Sequence, residues 1–251
     1  MLAPLSDIRI GWNRWLKAQQ YEQAFWQRLG EEIAAGTRHR LDWYSWRARQ
    51  LDQFMASAGA STTEGKVLEI GSGPVGIVNF VGWGERYAID PLEHFYRTKP
   101  SLVSLRDPAV TYLDGTGERL PFEDASCALV IIDNVIDHTY EPGKILDEIR
   151  RIMRPDGHMY LSVNVHTAWG FVLHTMLAVL QIDKGHPYTF TSTTLRRFLT
   201  GRQFEVLRER IDDYESAKQE DRASPSLKAR IKGYSGLSEF SHAVICRKSA
   251  A

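Results

Sequence analysis

The stretch Val67-Leu68-Glu69-Ile70-Gly71-Ser72-Gly73-Pro74-Val75-Gly76 decides the fold. An almost unbroken apolar run enters a turn carrying three glycines, which is how a strand covered on both faces feeds a tight bend. Similar runs recur at 87–89, 110–113, 128–132 and 159–163, with helical patterns between them. That alternation is the rhythm of a parallel sheet wrapped by helices, so five successive strands of a doubly wound α/β sheet are expected. Two more strands are read at 204–211 and 240–247, and a helix over 192–199 with Thr191 as its N-cap and Gly201 at its end.

The remaining residues arrange themselves around this core. A length of 251 residues, with 43% hydrophobic and 25% charged, suits one enzyme-sized domain with an appendage. Residues 1–60 are expected to form a helical cap, since five of the seven tryptophans (Trp12, Trp15, Trp26, Trp43 and Trp46) fall there at helical spacing, and 61–251 the main domain. Within it, 212–239 is polar, contains Pro225, and reads as an inserted lid or a disordered stretch. Lys plus Arg and Asp plus Glu both total 31, so no basic field exists to hold a nucleic-acid backbone. Cys127 and Cys246 lack metal-site spacing and no basic, apolar leader opens the chain, which together suit the cytoplasm. The apolar stretch 169–182 is interrupted by His174 and is shorter than the roughly 20 residues of a membrane span. It could line a cavity as readily as form a homodimer seam.

A Gly-x-Gly turn followed by Asp90 at the end of the next strand suits either of two ligand classes. Glu69 would repel a pyrophosphate but suits a ligand carrying an ammonium and a sulfonium. Pro74 removes a backbone N–H where a phosphate would want one. Further ordered segments follow at Gly115-Thr116-Gly117-Glu118-Arg119-Leu120-Pro121-Phe122, at Asp133-Asn134-Val135-Ile136-Asp137-His138, and at Arg151-Ile152-Met153-Arg154-Pro155-Asp156-Gly157.

In that order these motifs resemble the class I S-adenosylmethionine-dependent methyltransferases, in particular their small-molecule branch, over about residues 60–211. The resemblance implies a Rossmann-like seven-stranded sheet, mostly parallel with an antiparallel last strand, and S-adenosylmethionine as cofactor. It also implies that Glu69, Gly71, Gly73 and Gly76 surround the methionine moiety and that Asp90 holds the ribose. Thr116, Gly117 and Glu118 would then lie beside the adenine, and Asp133 and Asn134 would face the amino acid end. The family commonly has an aspartate where Thr116 stands.

His138, His166 and His186 follow the strand ends at the carboxyl edge of the sheet, where an imidazole near its ordinary pKa could take a proton from an attacking hydroxyl. Methyl transfer to an oxygen of a small biosynthetic acceptor is therefore the leading expectation. Carbon methylation of a quinone-like ring, or a catalytically silent cofactor-binding module, is the alternative. Trp43, Tyr44, Trp46 and Arg47 are candidates for the substrate wall. Asp133 and Asn164 lack the rest of an oxygen-rich cage, so no metal is expected.

Overall fold

The computed structural model describes residues 11–37, 41–60, 63–179 and 187–249. Strands β1 (Lys66–Ile70), β2 (Glu85–Asp90), β3 (Val110–Asp114), β4 (Cys127–Asp133), β5 (Met153–Val165), β6 (Phe204–Ile211) and β7 (Phe240–Lys248) form one sheet in the order β3-β2-β1-β4-β5-β7-β6. The first five pair parallel, and β7 runs antiparallel to both β5 and β6. Strand order reverses at β1, where β2 leaves to one side and β4 to the other. Open sheets of this kind bind ligands in the crevice beyond the carboxyl ends of such a pair.

The alternation of side chains along each strand splits the core in two. Leu68, Ile70, Val130, Ile132 and Leu161 pack under α5 (Pro142–Ile152) and α7 (Ser192–Gly201). Val67, Leu129, Ile131 and Tyr160 pack on the other face with Leu51, Phe54 and Met55 of α2 (Asp42–Ser57). Helix α1 (Trp12–Ala34) lies beside the short helices α3 (Glu93–Tyr96) and α4 (Pro100–Val103), where Ser101 Oγ donates to the Gly30 carbonyl at 2.9 Å and Trp26 and Ile33 pack against Phe95, Tyr96 and Leu102. Thr191 caps α7 through a reciprocal pair with Thr194. Cys127 and Cys246, on β4 and β7, are both free thiols and both buried.

The expectation of disorder at 212–239 is corrected. The segment folds into α8 (Tyr214–Ala223) and α9 (Leu227–Ser235), capped by Asp213 and Ser226 and closed by Gly236 in the left-handed conformation. The two helices lean on each other, Arg222 Nε donating to the Gly233 carbonyl at 2.9 Å. Polarity alone suggested a loop, but serine and aspartate at helix starts satisfy backbone N–H groups and so favour helices. None of the residues of α8 or α9 reaches the cleft described below. The apolar stretch forms α6 (Ala168–Val179), whose Trp169 indole N–H donates to the Ser235 carbonyl at 3.0 Å. Residues 180–182 of the predicted stretch lie outside the described residues. Among the described residues no helix is long and apolar enough to cross a membrane.

Candidate active site

A cleft of about 340 Å³ opens at the strand-order reversal, within the size range of small-molecule sites. Its floor is the turn after β1. Gly71 and Gly73 sit at φ of +67° and +62°, a region glycine enters at no steric cost. A Cβ on Gly71 would stand 2.5 Å from the Val135 methyls, and one on Gly73 would stand 2.6 Å from the Tyr44 hydroxyl and 3.1 Å from the Trp26 ring. Gly76 does not line the cleft: glycine is needed there for its φ of +84° and because a Cβ would lie 2.5 Å from a Glu69 carboxylate oxygen.

Two of the turn's N–H groups are engaged within the protein. The Gly71 N–H donates to the Ile89 carbonyl at 2.8 Å and the Gly73 N–H to Asp90 Oδ2 at 2.9 Å, while Pro74 has none. Asp90 accepts a second bond from the Leu92 N–H at 2.8 Å. Burial pushes its carboxyl up to about 6 against the lowering effect of those two bonds. Glu69 is buried as well, and burial carries it up to about 8 although Val78 N–H donates to it at 2.7 Å.

Most of the other predicted residues meet here. Thr116, Gly117 and Glu118 line the β3 side, with Glu118 Oε1 accepting the Tyr140 and Glu141 N–H groups at the start of α5 at 3.0 and 3.1 Å. Asp133, at the end of β4, is ion-paired with Arg47 of α2 and accepts from the Ser162 hydroxyl. Asn134 follows in the left-handed region at φ 58°. His138 faces the cleft with its Nδ1 3.9 Å from Glu22 and its Nε2 3.7 Å from Asp137.

His138 and His166 do not gather as expected. His166 is buried away from the cleft, its ring 4.9 Å from that of His174 and its Nε2 3.7 Å from Glu239. The cause is local: β5 ends one residue earlier and the chain turns at once into α6, which covers the imidazole. His186 lies outside the described residues. Among the described residues no cluster of three His, Cys, Asp or Glu is arranged to hold a metal ion.

The roof comes from the cap. Trp43, Tyr44 and Arg47 of α2 line it, whereas Trp46 points to solvent at 54% exposure. The Tyr44 hydroxyl donates to the Ser72 carbonyl at 3.1 Å, tying the roof to the glycine turn. Sequence reasoning missed Gln19, Glu22 and Phe25, which with Trp15 and Trp26 face the cleft from α1. The spacing of 15, 19, 22 and 26 marks one helix face, and a glutamine and a glutamate on an otherwise aromatic face were the available signal.

A family model described as a methyltransferase domain matches residues 68–161. An uncharacterized methyltransferase of Mycobacteroides abscessus is 28% identical over 157 residues, which span 61% of this chain and 56% of that relative. The chain thus matches little more than half the length of this relative. In fold it is similar to the geranyl diphosphate C-methyltransferase of Streptomyces coelicolor, solved with S-adenosyl-L-homocysteine, at a TM-score of 0.57 and 11% identity over 80% of this chain and 79% of that one. A phosphoethanolamine N-methyltransferase of Haemonchus contortus superposes at 0.53 with 14% identity, over 80% of this chain and 53% of that one.

Proposed function

We propose that this chain, whose residues 68–161 match a methyltransferase domain, is a class I S-adenosylmethionine-dependent methyltransferase that moves the methyl group of this cofactor to an oxygen of a small-molecule acceptor in a biosynthetic reaction. The observation that carries the reading is the turn after β1. Its Gly71 and Gly73 N–H groups are engaged by Ile89 and Asp90 and Pro74 has none, so it is poorly equipped for a diphosphate and well suited to a nucleoside without one. The missing side chains of Gly71 and Gly73 keep the floor open.

The residues present fit the cofactor. Asp90 would accept the ribose hydroxyls, and Thr116, Gly117 and Glu118 would border the adenine. Arg47 and Asp133, already paired with each other, offer opposite charges to the carboxylate and ammonium of the amino acid end. Bound S-adenosylmethionine supplies a methyl carbon made electrophilic by a sulfonium. The chain's own work is orientation, exclusion of water and handling of one proton. The aromatic roof from α1 and α2 shields the cleft, and alignment of this kind corresponds to effective molarities of about 10⁵ to 10⁸ M. His138 is the histidine on the cleft wall among the described residues, and it would accept the acceptor's hydroxyl proton. A small organic acceptor and a cytoplasmic setting agree with the zero net charge and the two free thiols.

Calorimetry with S-adenosylmethionine, S-adenosylhomocysteine and NAD tests the cofactor, and mass detection of released S-adenosylhomocysteine over a panel of phenols, alcohols and quinols tests the reaction. Tighter binding of NAD would defeat the reading. Binding without turnover on every acceptor would favour a silent module. On a competent hydroxyl acceptor, His138→Ala should lower kcat about 10² to 10⁴-fold with little change in KM, and equal losses in both would leave His138 no role as a base.

A further inference from the structure

Five carboxylates line the cleft: Glu22, Glu69, Asp90, Glu118 and Asp133. Four accept hydrogen bonds or an ion pair from the protein. Glu69 takes the Val78 N–H, Asp90 those of Gly73 and Leu92, Glu118 those of Tyr140 and Glu141, and Asp133 is paired with Arg47. Glu69, whose charge the sequence reading offered to the ligand, is moreover carried up to about 8 by burial and holds a proton at neutral pH. Glu22, half-exposed on the cleft-facing side of α1, is the carboxylate to which no described residue donates a hydrogen bond.

Two titratable neighbours locate Glu22. His138 Nδ1 is 3.9 Å away, and Asp90 is near enough for the Glu22 charge to disfavour its ionisation. Asp90 ends β2 and His138 follows β4, and β1 with its glycine turn runs between those strands. Glu22 therefore stands over the middle of the cleft, above that turn. In S-adenosylmethionine the sulfur lies covalently between the ribose and the amino acid. With the ribose at Asp90 and the amino acid end toward Arg47 and Asp133, the sulfur falls in the interval that Glu22 overlooks.

We propose that Glu22 is the specificity determinant by which the cleft prefers the charged, methylated cofactor over the spent one. Its carboxylate faces the sulfonium from the α1 side of the cleft, beside Trp15 and Trp26, and opposite charges at that range attract even where solvent partly screens them. Methyl transfer turns the sulfonium into a neutral thioether and removes that attraction. The product then binds less tightly than the reactant and leaves, so a residue of the cap governs cofactor exchange. This inference rests on the assignment of the cleft to S-adenosylmethionine.

The test is calorimetry of the full chain with S-adenosylmethionine and with S-adenosylhomocysteine at pH 7 and low salt, for wild type, Glu22→Gln and Glu22→Asp. Wild type should bind the sulfonium about five- to tenfold more tightly than the thioether, the order of effect one partly screened charge contact produces. Glu22→Gln should bring the two affinities within about threefold by weakening the sulfonium alone, and Glu22→Asp should restore part of the preference. An unchanged preference in Glu22→Gln, or an equal loss for both ligands, overturns the proposal while leaving the cofactor assignment standing. Failure of the wild type to bind either ligand overturns that assignment instead.

Discussion

Glu69 and Asp90 show how burial rather than residue type sets the charge of a site. Glu69 rises from its ordinary 4.5 to about 8 because water is excluded from it, and Asp90 rises from 3.8 to about 6 for the same reason. A carboxyl with a raised folded-state pKa binds its proton more tightly in the native chain than in the unfolded one. Its contribution to stability is full below the unfolded value and is lost as pH rises through the folded value. For Glu69 that window runs from about 4.5 to 8. Melting temperatures taken across pH 5 to 9 should therefore fall more steeply for wild type than for Glu69→Gln, and parallel curves would contradict the buried, protonated carboxyl. Asp90→Ala should weaken S-adenosylmethionine binding by about tenfold to a hundredfold, since a charge-assisted bond contributes roughly 1.5 to 3 kcal/mol. Calorimetry showing unchanged affinity would remove Asp90 from the site.

Among the elements, the strands were the most legible, because strands buried on both faces leave runs such as Cys127–Asp133 that little else produces. Helix α7 was legible from its start: Thr191 accepts from the Thr194 N–H at 3.1 Å, and Thr194 Oγ1 accepts from the Thr191 N–H at 2.8 Å. Thr191→Ala should cost about 1 kcal/mol and lower Tm by about 2 to 4 °C in a chain of this size, and a melting curve unmoved by the change would show the cap to be redundant. The pair α8 and α9 was illegible for a physical reason. No residue of α8 is buried, so the segment has no apolar stripe to read, and its stability comes from caps and from Arg222 bridging to Gly233. His166 escaped in another way, since strand-end position says which edge a residue occupies but not whether the following helix folds over it.

For the whole molecule, the consequential arrangement is a sheet that supplies the floor of the cleft and two N-terminal helices that supply the roof. The floor could be read from motif order, because Gly71, Gly73, Asp90 and Glu118 are local signals. The roof could be read only as a helical cap, since which face of α1 meets the glycine turn depends on contacts between Trp26, Tyr44 and Gly73, distant in sequence. A ligand gripped between the two layers should couple them. Hydrogen exchange followed by mass spectrometry should show saturating S-adenosylhomocysteine slowing amides of α1 and α2 by about tenfold or more, with α8 and α9 unaffected. Protection spread evenly over all four helices would point to global stabilisation.

The thiols of Cys127 and Cys246 are sealed inside the sheet, and burial raises both, Cys246 to about 12. Neither will compete for a maleimide while the chain is folded. A fluorophore can thus be attached through Gln23→Cys, on the exposed side of α1, without first deleting the native cysteines. The molecule comes ready for single-molecule recording at its roof, and the same silent thiols, once they do react, time the global opening of the chain.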